Sequence, residues 1–140
     1  MALDRRVLAR LCRARELLSD AEASPSIRRI AAEIGISQFH FIRQFEAVFG
    51  ATPHQFRTRE RLERAKQLLA RGESVTDVCF EVGFSSVGSF SGLFTRHVGT
   101  NPSTYRQRRA FVQVRELHLG CFGLMGLLPA AAFRNSREAR

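Results

Sequence analysis

Apolar residues recur at three- to four-residue intervals through most of the chain, the spacing of one face of a helix. Leu3, Val7, Leu11, Ala14, Leu17 and Leu18 predict an amphipathic helix over Leu3–Ser19, with Asp4 in its first turn and Arg5, Arg6, Arg10 and Arg13 on its outer face. Ala23–Pro25 is a loop. Ile27, Ile30, Ala31 and Ile34 then predict a short helix, and Phe41, Phe45 and Val48 or Phe49 predict another. Gly35 stands between these two helices, where a tight turn needs a positive φ, and Ser37 is placed to cap the second of them. Thr52 before Pro53 starts a long helix, because proline's missing N–H has no partner to lose in a first turn. That helix runs over 53–71, burying Phe56, Leu62, Ala65, Leu68 and Leu69, and Gly72 closes it.

The pattern of 26–50 then returns at 74–99. The offset is 48 for Ile30/Val78, Glu33/Glu81, Ile34/Val82, Gly35/Gly83 and Ser37/Ser85, and 49 for Phe41/Phe90, Phe45/Phe94, Gly50/Gly99, Pro53/Pro102 and Phe56/Tyr105. One extra residue therefore enters at the start of the second helix of the repeat. A repeat of this length fixes the architecture. The expected fold is all-α, about seven helices, with two helix-turn-helix units joined by the 53–71 helix. Residues 1–110 form the domain, its last helix starting at Asn101-Pro102 and ending near Arg109. Residues 111–140 form a C-terminal tail of unknown role, irregular or partly extended, because Val112, Val114, Leu117 and Leu119 partly alternate and Gly120, Gly123, Gly126 and Pro129 oppose a helix.

Charge narrows the partner. The formal net charge is +9, almost all of it from Arg, with Lys66 the only lysine. An acidic partner follows, nucleic acid before anionic membrane. No apolar stretch has the length of a membrane span, and the N-terminal apolar residues are broken by Arg, unlike a signal peptide. Cys12, Cys79 and Cys121 are odd in number and far apart, with Cys12 and Cys79 at apolar-periodic positions. They suit a reducing compartment, and the expected location is cytoplasmic.

In a helix-turn-helix the second helix enters the DNA major groove. Here its outward face carries Gln38, Phe39, Ile42, Arg43 and Glu46. Arg43 can donate two hydrogen bonds to a guanine edge, Gln38 can pair with adenine, and Phe39 and Ile42 can meet thymine methyl groups. The competing roles are packing against a neighbouring helix for Phe39 and Ile42, and an ion pair with Glu46 or Glu33 for Arg43. The corresponding face of the second unit, Val87, Gly88, Ser91, Gly92 and Thr95, is small and nearly uncharged. Val87 and Ser91 are its candidate base contacts. Ser37, Thr52, Ser85, Ser86, Thr95 and Arg96 are candidate phosphate contacts, most of them at helix starts where free backbone N–H groups attract anions. No Gly-Lys phosphate loop, paired carboxylates or nucleophile elbow suggests an enzyme, and no cofactor is expected. His118 and Cys121 make only half of a metal site, so no metal is expected.

Taken together, I-x-x-I-A-x-x-x-G-I-S-x-x-x-F-x-R-x-F at 27–45, F-G-A-T-P-H-Q-F at 49–56, R-x-x-x-A-x-x-L-L at 61–69, V-x-x-V-x-x-x-V-G-F-S-S-x-x-x-F-x-x-x-F at 75–94 and N-P-S-T-Y-R at 101–106 resemble the DNA-binding domain of the AraC/XylS family of bacterial transcription regulators. The resemblance covers about Leu3 to Arg109. It implies a sequence-specific double-stranded DNA-binding regulator, an activator on the family's pattern, that places two recognition helices in successive major grooves. The 53–71 helix would be the spacer. At about 28 Å it is shorter than the ~34 Å between successive grooves, which implies some bending of the DNA. Where family members often carry Arg and a second basic residue, this chain has Gly92 and Thr95, and Glu46 replaces a frequent Lys. The second unit is therefore expected to read fewer bases. Only about two residues precede the first helix, so the expectation is a member without a small-molecule effector domain, able to act as a monomer on DNA, with RNA polymerase as a candidate partner. The alternative is a protein-interaction module working mainly through RNA polymerase or another regulator, with weak DNA specificity.

Overall fold

A computed structural model describes residues 4–117, and these form seven helices. They are α1 (Arg5–Ser19), α2 (Ile27–Ile34), α3 (Gln38–Phe49), α4 (Pro53–Ala70), α5 (Val75–Glu81), α6 (Val87–Val98) and α7 (Pro102–Leu117). No strand occurs among the described residues. The capping residues lie close to where the sequence places them. Asp4 is the N-cap of α1 and not part of its first turn, its carboxylate accepting from the Arg6 N–H at 3.2 Å. Ser26, Ser37 and Ser74 cap α2, α3 and α5, and Thr52 and Gln55 close a reciprocal capping box on α4. Gly35, at φ 74°, makes the left-handed turn between α2 and α3 that a residue with a Cβ would resist.

Three further sequence expectations need correction. The cap of α6 is Ser86, whose Oγ accepts from the Ser89 N–H at 3.1 Å, and not Ser85. Ser86 is thus the counterpart of Ser37, and the extra residue sits in the turn before the cap, where it disturbs no helical hydrogen bond. The last helix does not end near Arg109 but runs to Leu117, so 111–117 is helical and not extended. Extending a formed helix adds one hydrogen bond per residue fixed, and no Gly or Pro interrupts 103–117, so two alternating valines do not suffice to stop it. Phe56 is only partly buried. The rest of the expected tail, 118–140, lies outside the described residues.

The helices enclose two cores. The first joins Leu11, Ala14 and Leu18 of α1, Ile30, Ala31 and Ile34 of α2, and Phe41 and Phe45 of α3. The second joins Leu62, Ala65, Leu68 and Leu69 of α4, Val78 and Cys79 of α5, Val82 beside it, and Phe90 and Phe94 of α6. Burying one such large side chain contributes about 1.5–3 kcal/mol. Burial also pushes the Cys79 thiol up from its ordinary pKa, as suits a small buried hydrophobe, whereas Cys12 is half-buried.

The repeat is longer than the two helix pairs. R-L-C-R-A-R-E-L-L at 10–18 in α1 returns as R-L-E-R-A-K-Q-L-L at 61–69 in α4, and Leu11/Leu62, Ala14/Ala65 and Leu18/Leu69 hold the same places in the two cores. At the other end, Phe56 stands 5.6 Å from Phe45 and Tyr105 stands 5.5 Å from Phe94, both edge-on at 75°. Arg13–Glu33 at 3.6 Å and Arg64–Glu81 at 3.4 Å are equivalent ion pairs. Each unit is therefore four helices, and α4 is shared: it closes the first unit as α7 closes the second, and opens the second as α1 opens the first.

The closing helices carry matched clamps. Arg57 of α4 donates to the Pro25 carbonyl, one residue before the cap of α2. Arg106 of α7 donates from Nε and Nη2 to the Gly72 carbonyl, two residues before the cap of α5, at 3.0 and 2.7 Å. Arg57 is only 9% exposed. Desolvation, and then the neighbouring Arg61, push its guanidinium below the ordinary arginine pKa. Arg61, itself pushed down by burial, donates to the Ser24 Oγ at 2.8 Å. These bonds fix where each helix-turn-helix begins relative to the helix that closes it.

Candidate nucleic-acid interface

Every residue of α3 aligns with one of α6 at an offset of 49, from the caps Ser37 and Ser86 onward. On α3 the structure leaves Gln38, Phe39, Arg43 and Glu46 exposed. Phe39 is 67% exposed, so packing against a neighbouring helix does not hold it. The Arg43 guanidinium lies 5.4 Å from the centroid of its ring, a cation–π contact one helical turn long. Arg43 takes part in no ion pair among the described residues, and Glu33 is engaged by Arg13 instead. Ile42 is half-buried and lines a cleft with Ile27, Thr52 and Pro53 at the start of α4.

The same face of α6 differs in more than size. Val87 is half-buried against the second core, and Ser91 is also half-buried. Thr95 is exposed, but its hydroxyl donates to the Ser91 carbonyl at 2.7 Å. Gly88 and Gly92 are exposed, and a Cβ built on Gly92 meets nothing within 4 Å. Arg96 is exposed and in no ion pair among the described residues.

The candidate phosphate contacts separate into two kinds. Ser37 and Ser86 are exposed caps whose oxygens accept from His40 N–H at 3.3 Å and Ser89 N–H at 3.1 Å; the Ser37 hydroxyl also meets the His40 Nδ1 at 3.4 Å. Thr52 is a half-buried cap that accepts from Gln55 N–H at 3.2 Å. Ser85 is exposed and caps nothing.

Sequence reasoning missed the surface between the two helices. His54 lines a cleft with Gln38 and Ile42 of α3, and also a groove in which Thr58 and Arg59 of α4 meet Leu93, Arg96 and His97 of α6. The outer face of the first turns of α4 thus bridges α3 and α6, and the i, i+4 spacing of His54 and Thr58 was the available signal. His97 also bonds the Glu63 carboxylate at 3.0 Å, tying the last turn of α6 to α4. The hydrogen bonds from His97 and Lys66 hold the Glu63 carboxyl below its ordinary pKa. His118 and Cys121 lie outside the described residues. Among the described residues no helix is long and apolar enough to cross a membrane.

The arrangement offers two helix N-termini with exposed serine caps, one strongly functionalised helix face, one bare helix face, and a basic strip between them. A family model for a helix-turn-helix domain matches residues 30–108. The MmsAB operon regulatory protein of Pseudomonas aeruginosa is 40% identical over 83 residues, which are 59% of this chain and 27% of that protein. The chain spans 27% to 33% of the length of the curated relatives it first matches. Among solved structures, a transcriptional regulator from Chromobacterium violaceum, described by its AraC-type DNA-binding domain, superposes with TM-score 0.67 at 29% identity, covering 76% of this chain and 97% of that one. The DNA-binding domain of the global transcriptional factor AdpA, solved in complex with a target DNA, superposes with TM-score 0.61 at 27% identity, covering 75% of this chain and 93% of that one.

Proposed function

The chain belongs to the AraC family of helix-turn-helix transcription regulators, and from that premise we propose that it binds double-stranded DNA sequence-specifically and regulates transcription in the cytoplasm, as an activator. The two recognition helices, α3 and α6, enter successive major grooves on one face of the duplex, with the N-terminal half of α4 over the backbone between them. The observation that carries this reading is the strict equivalence of α3 and α6 about a shared α4, with Arg43 and Arg96 exposed and in no ion pair among the described residues.

Within this reading the two helices share the task unequally. Gln38, Phe39 and Arg43 supply base contacts, with Ile42 closer to the α4 junction. Val87 and Ser91 add little, because both are half-buried. Ser37, Ser86, Thr52 and Arg96 bind phosphates. Thr95 and Ser85 are weaker candidates, the first because its hydroxyl is engaged and the second because it lies outside the cap. Domain boundaries follow the four-helix units, so the DNA-binding domain extends through α7.

The test is fluorescence anisotropy with a duplex enriched from a random library and with random-sequence DNA, at several salt concentrations. Specific binding should exceed random binding by about a thousandfold or more, and both should fall steeply with salt. Equal affinity for both duplexes would overturn the proposal.

A further inference from the structure

The principal helix contacts between the two units all run through α4. Behind α4 a cleft of about 220 Å³ separates the end of α1 and its loop, at Leu18, Asp20 and Ser24, from Val82 at the end of α5. Glu60, Glu63 and Gln67 line it from α4, about half a turn round the helix from His54 and Thr58. Arg61 of α4 crosses this cleft. On the side of the first unit it donates to the Ser24 Oγ at 2.8 Å. On the side of the second unit the flat face of its guanidinium lies on Gly83, in the turn between α5 and α6: a Cβ built there would stand 3.1 Å from Cζ, Nε and Nη2 alike. We infer that Arg61 is a positioning residue, a strut that holds the cleft open and thereby fixes how far apart α3 and α6 stand on DNA. The inference rests on the DNA-binding reading for its consequence and on the protein alone for its geometry.

Charge pairing does not hold Arg61 in place. It is half-buried and takes part in no ion pair among the described residues, although Asp20 and Glu60 line the same cleft. Ser24 is the one described residue other than glycine at a positive φ, 32°, a strain that its bond to Arg61 helps to hold. Gly83, at φ 97°, lets the guanidinium lie closer than any residue with a side chain would. The first unit serves as an internal control. Arg10 is the counterpart of Arg61 and Gly35 that of Gly83, yet Arg10 is exposed and a Cβ on Gly35 meets nothing within 4 Å. The arginine lies on the glycine only where a serine of the other unit pins it. The 18 residues of α4 span about 27 Å, roughly 7 Å short of the ~34 Å between successive major grooves. The cleft and the recognition helices lie on opposite faces of α4, so a wedge in the cleft keeps α3 and α6 close and obliges the DNA to bend to meet both. Without the wedge the cleft closes, α3 and α6 part, and the DNA straightens.

The experiment measures the separation of α3 and α6 directly. Glu46→Cys and Thr95→Cys place nitroxide labels at equivalent exposed sites of the two helices, in a chain carrying Cys12→Ser and Cys121→Ser with Cys79 left buried. Pulsed electron spin resonance on the free protein should give one narrow separation. Arg61→Ala should broaden it and lengthen it by up to about 7 Å. Ser24→Ala removes a single hydroxyl outside every helix and should shift the separation the same way, and the two changes together should shift it no further than Arg61→Ala alone. A merely stabilising role would lower the urea midpoint and leave the separation unchanged. On the duplex enriched from a random library, with a fluorescence donor and acceptor at its ends, unlabelled Arg61→Ala protein should give less energy transfer than the unaltered protein, because the DNA is straighter. An unchanged label separation in either variant would overturn the strut, and a changed separation with unchanged energy transfer would overturn its control of the bend. A library that enriches no site would overturn the DNA-binding reading and the bend with it, while the label separation still decides the strut.

Discussion

Phe94→Ala separates the two halves of the molecule. Phe94 is fully buried, 5.7 Å from Phe90 and 5.5 Å from Tyr105, in the core that α4, α5 and α6 share. Removing a buried phenyl ring costs about 3–5 kcal/mol, the lost transfer energy plus the cavity. A domain of this size has only about 5–15 kcal/mol in total, so the loss falls on one unit and not evenly on both. Tyr105 is the single tyrosine of a chain without tryptophan, so tyrosine emission reports the second core while far-UV circular dichroism reports all helices. In a urea titration the two signals should coincide for the unaltered protein. In Phe94→Ala the tyrosine midpoint should drop by about 2 M, taking a slope of about 1–3 kcal/mol per molar urea, and precede much of the helical loss. The matched change Phe45→Ala should reverse the order, early helical loss with the tyrosine transition retained, because Phe45 occupies the same place in the first core. If the two probes moved together by equal amounts in both variants, the description of two cores joined by a shared helix would be wrong.

Three further outcomes follow from particular contacts. Arg43→Ala should cost about 1–3 kcal/mol of specific binding and relax preference at one base position, read by anisotropy on single-substitution duplexes; an unchanged preference would remove Arg43 from base contact. Gly92→Arg should tighten DNA binding and steepen its salt dependence by about one charge, since a Cβ there meets nothing within 4 Å; unchanged binding would place that face of α6 outside the groove. Ser86→Ala should lower unfolding stability by about 1 kcal/mol, and Ser85→Ala by no more than about 0.5, in the same urea assay; the reverse order would move the extra residue of the second unit back behind Ser85.

The helix-turn-helix pairs were legible because their signals are local. Isoleucine and phenylalanine spacing gave the faces, Gly35 and Gly83 gave the turns, and Ser26, Ser37 and Ser74 gave the caps of α2, α3 and α5. The sharing of α4 was harder to see. The α1/α4 match runs at an offset of 51, and the loop after α4 is three residues shorter than the loop after α1, so it falls out of register with the offset of 48 that follows. Arg57 reads as a surface residue in a charged stretch, and only its distant partner, the Pro25 carbonyl, explains its burial. On the candidate interface, exposure was predicted rightly for Gln38, Phe39, Arg43 and Glu46 of α3, where large side chains mark the face, but not for Ile42, which is half-buried. It was predicted poorly for α6. Val87 sits at the first position of its helix and packs against the second core, and a threonine's local bond to a carbonyl leaves no mark on apolar periodicity.

The unequal sharing of recognition between α3 and α6 is tested most directly by binding the protein to every single-base variant of its enriched duplex. With Gln38, Phe39 and Arg43 on one helix and Gly88 and Gly92 on the other, penalties of about 1–3 kcal/mol should cluster in one half-site, with those in the other half, one helical turn away, below about 0.5. Equal penalties in both halves, or the larger ones under α6, would contradict it.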